Sequence, residues 1–307
     1  MEEALRTPVG FLIFNRPEAT RKVFEAIRRA RPARLFVVAD GPRPDRPGEA
    51  ERCKAARAII EMVDWPCEVE TNFADRNLGC GLRVSSGLDW IFQKTEEAII
   101  LEDDCVPDQS FFPYCTELLE RFRDDERVMV ISGVNFQEKR GRTEYSYYYS
   151  RFAYMWGWAS WRRAWAKYDF TMRLWPEIRD GKWLEDMFIK RGFASYWDQA
   201  FSKTFRKEID TWDYQWIFAC LVNSGLVVIP RVNLVSNIGF DADATHTNFV
   251  SIFGDRRTMS LDFPLCHPPY VMHDLQTDMN VAQKFFTNSY TLRIKNRLRW
   301  LQKMISN

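Results

Sequence analysis

The fold is decided by residues 98–104, which read Ala-Ile-Ile-Leu-Glu-Asp-Asp. The four apolar residues predict a buried strand, and three acids follow it without a break. Carboxylates this close together repel one another and are costly to bury without partners. A divalent cation, Mn²⁺ or Mg²⁺, that bridges carboxylate and diphosphate oxygens would remove both costs. The alternatives are a solvated strand end and a cap for a helix over residues 109–122.

Strand and helix patterns alternate around this stretch. Apolar runs and helical spacing predict, in turn, a strand at 8–14, a helix at 18–30, a strand at 35–39, a helix at 49–63, a strand at 67–72, a helix at 79–93 and a strand at 98–101. This order predicts an α/β fold, a Rossmann-like, mostly parallel sheet with helices on both faces. Because ligands bind outside the carboxyl ends of such strands, the polar residues there should share one site. Those residues are Asn15, Arg16, Asp40 and the triplet Glu102-Asp103-Asp104.

The composition argues against several classes of protein. Among 307 residues, 43 Lys and Arg nearly balance 42 Asp and Glu, whereas a dedicated nucleic-acid binder needs a basic surface. No apolar run approaches the roughly 20 residues that span a bilayer. Seven cysteines without a Cys-x-x-Cys pair argue against structural zinc and a disulfide framework. We therefore expect a cytoplasmic protein that does not bind nucleic acid.

The second half of the chain is rich in tryptophan. Nine of the twelve tryptophans lie between Trp156 and Trp216, and Trp161 and Trp165 are expected in the core on one helix. No linker rich in Gly, Ser or Pro separates this half from the first, so we expect one continuous domain. Spacing predicts helices and then strands, at 160–168, 195–207, 213–223 and within 226–236.

A glycine-containing turn, Gly79-Cys80-Gly81, precedes the predicted third helix. Glycine lets backbone N–H groups at the start of a helix approach a phosphate closely. A short Gly-x-Gly is equally typical of a helix that begins without any ligand. Arg83, in the first turn of this helix, is a candidate binding residue.

Two features toward the C-terminus each have two interpretations. His246 lies in a polar stretch at 241–248, where it would contact metal or phosphate from a closing loop, or would be a surface histidine. Residues 290–307 predict a basic amphipathic helix, which either contacts an anionic membrane or packs on the domain. Its cations are Arg293, Lys295, Arg297, Arg299 and Lys303.

The acidic triplet and its flanks resemble a known family. From Ala98 the chain continues through Val-Pro-Asp-Gln-Ser-Phe-Phe-Pro-Tyr114 to Val130-Ile-Ser-Gly-Val-Asn135. The Golgi N-acetylglucosaminyltransferase I family has the same order of an apolar strand, Glu-Asp-Asp, a helix start like Pro-Asp-Phe-Phe, and a Val-Ser-x-x-Asn strand. The resemblance is specific at the triplet and continues, more weakly, over about residues 8–250. It implies a GT-A fold and an inverting, Mn²⁺-dependent transfer from a UDP-sugar.

The resemblance also implies roles for single residues. Asp104 resembles the direct metal ligand, Asp103 the ribose contact and Glu102 a contact to the donor sugar. An arginine suits a diphosphate, and an aspartate can accept a hydrogen bond from a uracil N–H. Three residues match the nucleotide-contacting ends of the family's first two strands, namely Asn15, Arg16 and Asp40. The alternative for each of them is a residue in a local turn.

Two motifs match the sugar-binding part of the family. Gly157-Trp158 lies where the family has a Gly-Trp in its sugar pocket, with burial in the core as the alternative. Trp212-Asp213 resembles the Trp-Asp pair whose aspartate is the catalytic base, and Trp212 is placed with the donor contacts. The family continues with a second aspartate where this chain has Tyr214, so Asp210 stays a competitor. A carboxylate at a helix N-terminus is the alternative for Asp213.

Together these features predict a hexosyl- or N-acetylhexosaminyltransferase in surface glycan assembly, with a glycan, lipid-linked or protein acceptor. One domain over 1–289 would hold a nucleotide-binding part at about 8–135 and a sugar and acceptor part at about 136–260. One alternative is a sugar-1-phosphate nucleotidyltransferase, which usually has a glycine-rich basic loop after its first strand. The other is a non-catalytic nucleotide-sugar or membrane-surface binding module, which needs no base.

Overall fold

The computed structural model describes residues 5–137, 143–188, 191–239 and 256–285. Two predicted features, His246 and the helix at 290–307, lie outside these residues. The strands are β1 (Val9–Ile13), β2 (Arg34–Ala39), β3 (Glu68–Phe73), β4 (Glu97–Glu102), β5 (Cys105–Pro107), β6 (Val128–Ser132), β7 (Tyr147–Ser150), β8 (Trp158–Trp161), β9 (Leu226–Pro230) and β10 (Val235–Asn237). The helices are α1 (Pro17–Ala30), α2 (Glu49–Ala58), α3 (Cys80–Lys94), α4 (Phe111–Arg121), α5 (Arg162–Trp165), α6 (Trp175–Asp180), α7 (Trp183–Met187), α8 (Arg191–Phe205), α9 (Asp213–Val222) and α10 (Leu275–Phe285), with a 3₁₀ turn at Ile59–Met62.

Eight strands form one sheet in the order β3-β2-β1-β4-β8-β6-β9-β7. The first four are parallel to one another. Strand β8 is antiparallel to both β4 and β6, and β9 is parallel to β6 while β7 is antiparallel to β9. Six of the eight strands therefore share one direction, which confirms the predicted Rossmann-like α/β architecture. The predicted nucleotide and sugar parts both contribute strands to this sheet.

Strand β4 shows why helices cover both faces of the sheet. All of its residues from Ala98 to Leu101 are buried. Successive side chains alternate between the two faces, so Ala98 and Ile100 belong to one core and Ile99 and Leu101 to the other. Helices α3, α8 and α9 contribute to the first core, and α1 and α4 to the second. A strand buried on both faces has a continuous apolar sequence, which is the pattern of residues 98–101.

The stretch at 160–168 differs from its prediction. It was predicted as one helix, but strand β8 extends to Trp161 and the short helix α5 begins only at Arg162. Trp161 pairs with Glu97 of β4, and that ladder supplies backbone hydrogen bonds which local spacing does not reveal. Trp161 and Trp165 therefore lie in different cores on opposite faces of the sheet, although both are buried as predicted.

The β7 edge of the sheet is covered by the last described segment. The backbone N–H of Asp274 donates to the carbonyl of Tyr149 at 2.8 Å. The Asp278 carboxylate accepts the hydroxyl of Ser150 at 2.6 Å and the N–H of Arg151 at 2.9 Å. These contacts anchor α10 on the sheet and occupy an edge that would otherwise expose unpaired backbone groups.

Two expectations drawn from the composition can be compared with the structure. All seven cysteines, for which no disulfide framework was expected, are free thiols in the structure. Within the described ranges, every helix is too short or too polar to cross a membrane.

Candidate functional site

The carboxyl ends of β1, β2 and β4 enclose a pocket of about 290 Å³. The predicted polar residues of these three strand ends line it, as expected for an open α/β sheet, with the exception of Asn15, which is not among its described lining residues. A larger cleft of about 580 Å³ between α6, α7 and α8 is lined by no strand end and no acidic triplet. We therefore place the site in the smaller pocket. Its charged lining residues are Arg16, Asp40, Arg43, Arg83, Glu102, Asp103, Asp104 and Asp210.

Arg16 lies between the last two acids of the triplet. Its Nη2 pairs with Asp103, and its Nη1 is 3.0 Å from Oδ2 of Asp104. The backbone N–H of Phe14 donates to the second oxygen of Asp103 at 3.2 Å. Asp103 is therefore occupied on both oxygens and only 3% exposed. By contrast, Oδ1 of Asp104 accepts a weak hydrogen bond from the Cys105 thiol at 3.4 Å.

The three carboxylates of the triplet carry more negative charge than the nearby arginine neutralises. Burial raises the pKa of Asp103 to about 6, although Arg16 opposes the shift. Burial also raises the pKa of Glu102 well above its usual range, and the charges of Asp104, Asp103 and Asp213 add to this. Burial alone would lower the pKa of Arg16, but Asp103 and Asp104 outweigh it and raise that pKa. One guanidinium does not neutralise three carboxylates, so the triplet favours a further cation or bound protons.

Asp40 orders the loop that leads into α3. Its Oδ1 accepts the N–H groups of Gly41 at 2.8 Å and Leu78 at 2.9 Å, and its Oδ2 accepts the Asn77 amide at 2.9 Å. Burial raises the pKa of Asp40, while the N–H groups of Leu78 and Gly41 lower it. Asp40 lines the pocket, as predicted. Its role in holding residues 77 and 78 was not predicted from the sequence.

Arg83 presents a donor without a partner. Its side chain lines the pocket and is only 6% exposed. Nη2 donates to the backbone carbonyl of Asn72 at 2.6 Å and to its side-chain oxygen at 3.0 Å. Nε is buried and has no hydrogen-bond partner within the part of the chain that the structure describes, which is costly for a charged group. Arg83 thus lines the pocket and is fixed by Asn72, and its role as a donor-binding residue stays a prediction.

Asn15 supports a second arginine. Its amide donates to Oε1 of Glu49 at 2.8 Å. Glu49 is fully buried and binds the Arg43 guanidinium through both oxygens, with Nε 3.0 Å from Oε2. This pairing lowers the pKa of Glu49 to about 2. Arg43 lines the pocket beside the Phe14 ring, so it is a second fixed guanidinium that the sequence did not single out.

We expect Glu49→Gln to lower the free energy of unfolding by about 2 kcal/mol at pH 7, because Arg43 loses a buried ionic partner. Folding lowers the pKa of Glu49, so its stabilisation is complete above the ordinary value of 4.5 and is lost as pH falls toward about 2. Denaturant unfolding of both proteins at pH 7 and pH 3 measures this difference, which should shrink at pH 3. The control is Glu51→Gln, an exposed acid on the same helix. A difference of equal size at both pH values would contradict the ionic pairing.

The N-terminus of α3 is capped by a carboxylate from the second half of the chain. Oδ2 of Asp210 accepts the N–H of Cys80 and Oδ1 accepts that of Gly81, both at 2.9 Å. Both glycines of the turn permit this approach. A Cβ on Gly79, whose φ is 82°, would lie 2.5 Å from Oδ2 of Asp210, and one on Gly81 would lie 2.7 Å from the carbonyl of Thr211. Of the two interpretations of this turn, the structure favours a helix start without phosphate, because Asp210 already satisfies these donors.

Asp213 begins α9, as predicted. Its Oδ1 accepts the hydroxyl of Thr211 and the N–H of Tyr214, so Oδ2 takes part in neither bond. Burial raises the pKa of Cys80, and the charges of Glu102 and Asp213 add to it. Cys80 and Glu102 line the pocket. Asp213 is therefore within electrostatic reach of the site that contains the triplet.

Trp158 and Trp212 are core residues, which corrects their prediction as donor contacts. Trp158 is 0% exposed and Trp212 is 3% exposed. Their rings stack with centroids 5.7 Å apart, and Trp165 and Trp216 pack around them. Neither ring offers a face to a sugar, because the packing of β8 against α9 buries both. Burial in the core, the alternative raised for Trp158, is the interpretation that the structure supports.

Gly239 packs directly on the ion pair of Arg16 and Asp104. A Cβ at this position would lie 2.1 Å from Oδ2 of Asp104 and 2.8 Å from Nη1 of Arg16. The N–H of Ile238 donates to the carbonyl of Asp104 at 2.8 Å. The chain thus passes over the acids through a residue without a side chain. The predicted contact of His246, a few residues later, lies outside the described residues.

The oxygen ligands at the triplet fit a hard divalent cation. Mg²⁺ is usually held by one or two carboxylates, and substrate phosphates and water complete its coordination. Among the described residues, no three His, Cys, Asp or Glu side chains are arranged as a ligand set. The assignment of Asp104 as a direct metal ligand stays a prediction.

Sequence patterns did not single out Arg43, Glu49 or Gly239, and they did not indicate that Asp210 caps α3. Asp210 and Cys80 are separated by 130 positions, so no local pattern indicates the cap. Glu49 and Arg43 lie close together, and an acid soon after an arginine that follows a strand end is a signal that could have been used. Gly239 has no such signal, because its close contact with Asp104 exists only after the chain has folded.

Comparisons with known proteins do not assign the chain to a family. No family model matches it, and no curated protein matches it. One similar solved structure is mouse xyloside xylosyltransferase 1 in its apo form, with a TM-score of 0.35 and 10% identity over 70% of this chain and 81% of that chain. Another is a 4-diphosphocytidyl-2C-methyl-D-erythritol synthase from Anaerococcus prevotii, with a TM-score of 0.32 and 10% identity over 71% of this chain and 98% of that chain. Likenesses at this level carry no argument about activity, so the resemblance to the N-acetylglucosaminyltransferase I family rests on its motifs alone.

Proposed function

We propose that this protein is a glycosyltransferase that moves a sugar from a nucleoside diphosphate sugar, a UDP-sugar in the first instance, to an acceptor hydroxyl. The observation that carries the proposal is the meeting of the acidic triplet, three arginines and Asp40 in one pocket at the strand ends. Open α/β sheets bind their ligands at such a place. The motif resemblance supports the GT-A type and the same chemistry.

The charge of the pocket favours a divalent cation, Mn²⁺ or Mg²⁺, as part of the site. Its lining contains five carboxylates and three guanidinium groups, so a diphosphate would meet a net negative surface without added positive charge. Asp104 would hold the metal, which when bound supplies positive charge to the departing diphosphate.

The arginines of the pocket have distinct tasks in this proposal. Arg16 and Arg43 are held by carboxylates and can donate to diphosphate oxygens from fixed positions. Arg83, which lines the same pocket and is held by the Asn72 carbonyl, contributes positive charge there. Asp103 keeps Arg16 in place in addition to any ribose contact.

The reaction is proposed as a single displacement at the anomeric carbon. The acceptor oxygen forms a bond to that carbon while the bond from the carbon to the diphosphate oxygen breaks, and its electron pair leaves with the diphosphate. Asp213 accepts the acceptor proton, because an alcohol is a weak nucleophile at neutral pH. The hydrogen bonds described for Asp213 engage Oδ1 and not Oδ2, and the charge of Asp213 acts on Glu102; both observations support this assignment.

The finer features of the function stay predictions. They are transfer of a hexosyl or N-acetylhexosaminyl group, inversion of configuration, a glycan, lipid-linked or protein acceptor, cytoplasmic location and contact of residues 290–307 with a membrane. The nucleotidyltransferase alternative is disfavoured because Phe14-Asn15-Arg16 after β1 contains no glycine-rich loop. A binding module would not require a carboxylate at position 213.

We expect one nucleoside diphosphate sugar to raise the melting temperature when Mn²⁺ is present, because a ligand that binds only the native state stabilises it by about 2.7 kcal/mol at a hundredfold excess. Thermal unfolding with UDP-, GDP-, CDP- and dTDP-sugars, with Mn²⁺ or with a chelator, measures this effect. Arg16→Gln should remove it. The control Arg179→Gln, in the larger cleft, should retain it. Stabilisation by no donor, or its loss only in the Arg179 variant, would refute the proposed site.

Turnover tests the reaction itself. Release of UDP that depends on an added acceptor extract indicates sugar transfer. Release of pyrophosphate from a nucleoside triphosphate and a sugar phosphate would instead identify a nucleotidyltransferase, and donor binding without turnover would identify a binding module.

A further inference from the structure

We infer that Asp210 is a positioning residue that fixes the loop carrying Asp213 against the donor pocket. The inference rests on the proposed function for the role of Asp213 as base. That Asp210 joins the loop before α9 to the start of α3 depends only on the contacts described above.

The first contact joins the loop to helix α3, which lines the proposed donor pocket. The two carboxylate oxygens of Asp210 each accept one backbone N–H from the first turn of α3. Bonds of this kind are charge-assisted, and the positive end of the helix dipole strengthens them. Helix α3 also carries Arg83, so the loop is tied to the element that presents a donor-binding side chain. Both oxygens of Asp210 are engaged in this way, which suits a role in holding the loop.

The following contacts transmit that position to Asp213. The hydroxyl of Thr211 donates to Oδ1 of Asp213, and the amide of Gln215 donates to the carbonyl of Thr211 at 2.8 Å. The hydroxyl of Tyr168 donates to the carbonyl of Trp212 at 3.2 Å. Each residue from 210 to 213 therefore has at least one side-chain or backbone atom held by a neighbour. Because these hydrogen bonds restrain the whole segment, a displacement of Asp210 should also displace Asp213.

The contact between Gly81 and the loop at Asp210 is so close that a change in either residue should disturb it. A Cβ on Gly81 would lie 2.7 Å from the carbonyl of Thr211 and 2.8 Å from Oδ1 of Asp210. An amide in place of the Asp210 carboxylate would offer one acceptor to two N–H donors and would turn its own N–H₂ toward the other. Either change should displace the loop, and a displacement of about 1 Å near a reacting group can cost about 100-fold in rate.

The experiment uses Asp210→Asn and Gly81→Ala in the full-length protein. Each has a matched control that keeps the chemistry of the change but leaves the site alone. Asp274→Asn removes a carboxylate that caps α10 through the N–H of Thr277 at 3.0 Å, on the far edge of the sheet. Gly192→Ala adds a methyl group that would meet no atom of the described residues within 4 Å. For every variant, kcat, the donor KM, the dissociation constant for UDP and amide hydrogen exchange over 79–82 and 208–216 are measured.

We expect both test variants to lower kcat by about 10–100-fold, with the donor KM and the UDP dissociation constant changed by less than about threefold. Exchange should become faster over both segments, and both controls should match the wild type in kcat and in exchange there. A role in stability alone would instead lower the melting temperature and weaken UDP binding while leaving kcat of the folded enzyme unchanged.

Three results would count against parts of the argument, and they can be told apart. Unchanged exchange in Asp210→Asn would show that the carboxylate does not hold the loop. Faster exchange with unchanged kcat would show that the loop does not position the base. Donor binding without transfer in the wild type would refute the proposed function, and with it the catalytic role of Asp210, while exchange would still decide whether Asp210 holds the loop.

Discussion

Asp213→Asn is expected to lower kcat for sugar transfer by about 10²–10⁴-fold, the usual contribution of a positioned general base. The amide has nearly the same size but does not accept a proton at neutral pH. Its Oδ1 can still accept the hydroxyl of Thr211 and the N–H of Tyr214, so the start of α9 should keep its geometry. The dissociation constant for UDP should therefore stay close to that of the wild type. The measurement is kcat for transfer together with UDP binding in both proteins.

The control for Asp213 is Asp186→Asn, which removes an exposed acid from the first turn of α7. Loss of a first-turn carboxylate costs stability through the helix dipole, by about 0.3–1 kcal/mol, and the control shows how little this alone changes turnover. Equal effects of the two variants on kcat would rule out a special role for Asp213. A product with the anomeric configuration of the donor would also refute a single displacement with Asp213 as base.

Asp104→Asn should abolish the contribution of Mn²⁺ to UDP binding while the fold stays intact. In the wild type we expect Mn²⁺ to strengthen UDP binding by about 100-fold, because a metal bridge between carboxylate and phosphate oxygens contributes several kcal/mol. In the variant this gain should disappear. Arg16 keeps its pairing with Asp103, and the triplet loses one repulsive charge, so the melting temperature without ligand should not fall. Titration of UDP with Mn²⁺ and with a chelator measures the effect.

A nearby acid provides the matched control for Asp104. Asp108 lies four residues later and accepts the N–H of Ser110 at 2.9 Å at the start of α4. Asp108→Asn keeps a side-chain oxygen that can accept this N–H, so it should change stability little and should leave the effect of Mn²⁺ on UDP binding unchanged. If Asp104→Asn retained the full effect of Mn²⁺, Asp104 would not be the metal ligand.

The sheet and its first helices could be predicted because their signals are local. A strand buried on both faces, such as 98–101, is a continuous apolar run, and helix α1 shows apolar residues at helical spacing. Strand pairing is different, since β8 forms hydrogen bonds with β4, about 60 residues away. Local spacing therefore indicated a helix where the chain forms the end of a strand.

The tryptophan side chains show the same difference between what local sequence indicates and what tertiary packing decides. Their number indicated a large apolar cluster, and the cluster is present around Trp158 and Trp216. Which ring faces a ligand depends on the packing of β8 against α9, and the sequence motif around Trp158 does not encode it. A motif match at Trp158 therefore predicted a sugar contact where the structure has core.

The sequence by itself determined the α/β class, the strand ends that carry polar residues and the position of the acidic triplet after β4. These depend on burial and on backbone periodicity, which are properties of neighbouring residues. Only the tertiary structure decided which charges meet, namely that Arg16 pairs with Asp103 and Asp104, and that Asp210 caps α3. The partners are 87 to 130 positions apart. Contacts between such distant residues depend on how the strands and helices pack together. The energy of a charge depends on its neighbours in space and not on its neighbours in the chain.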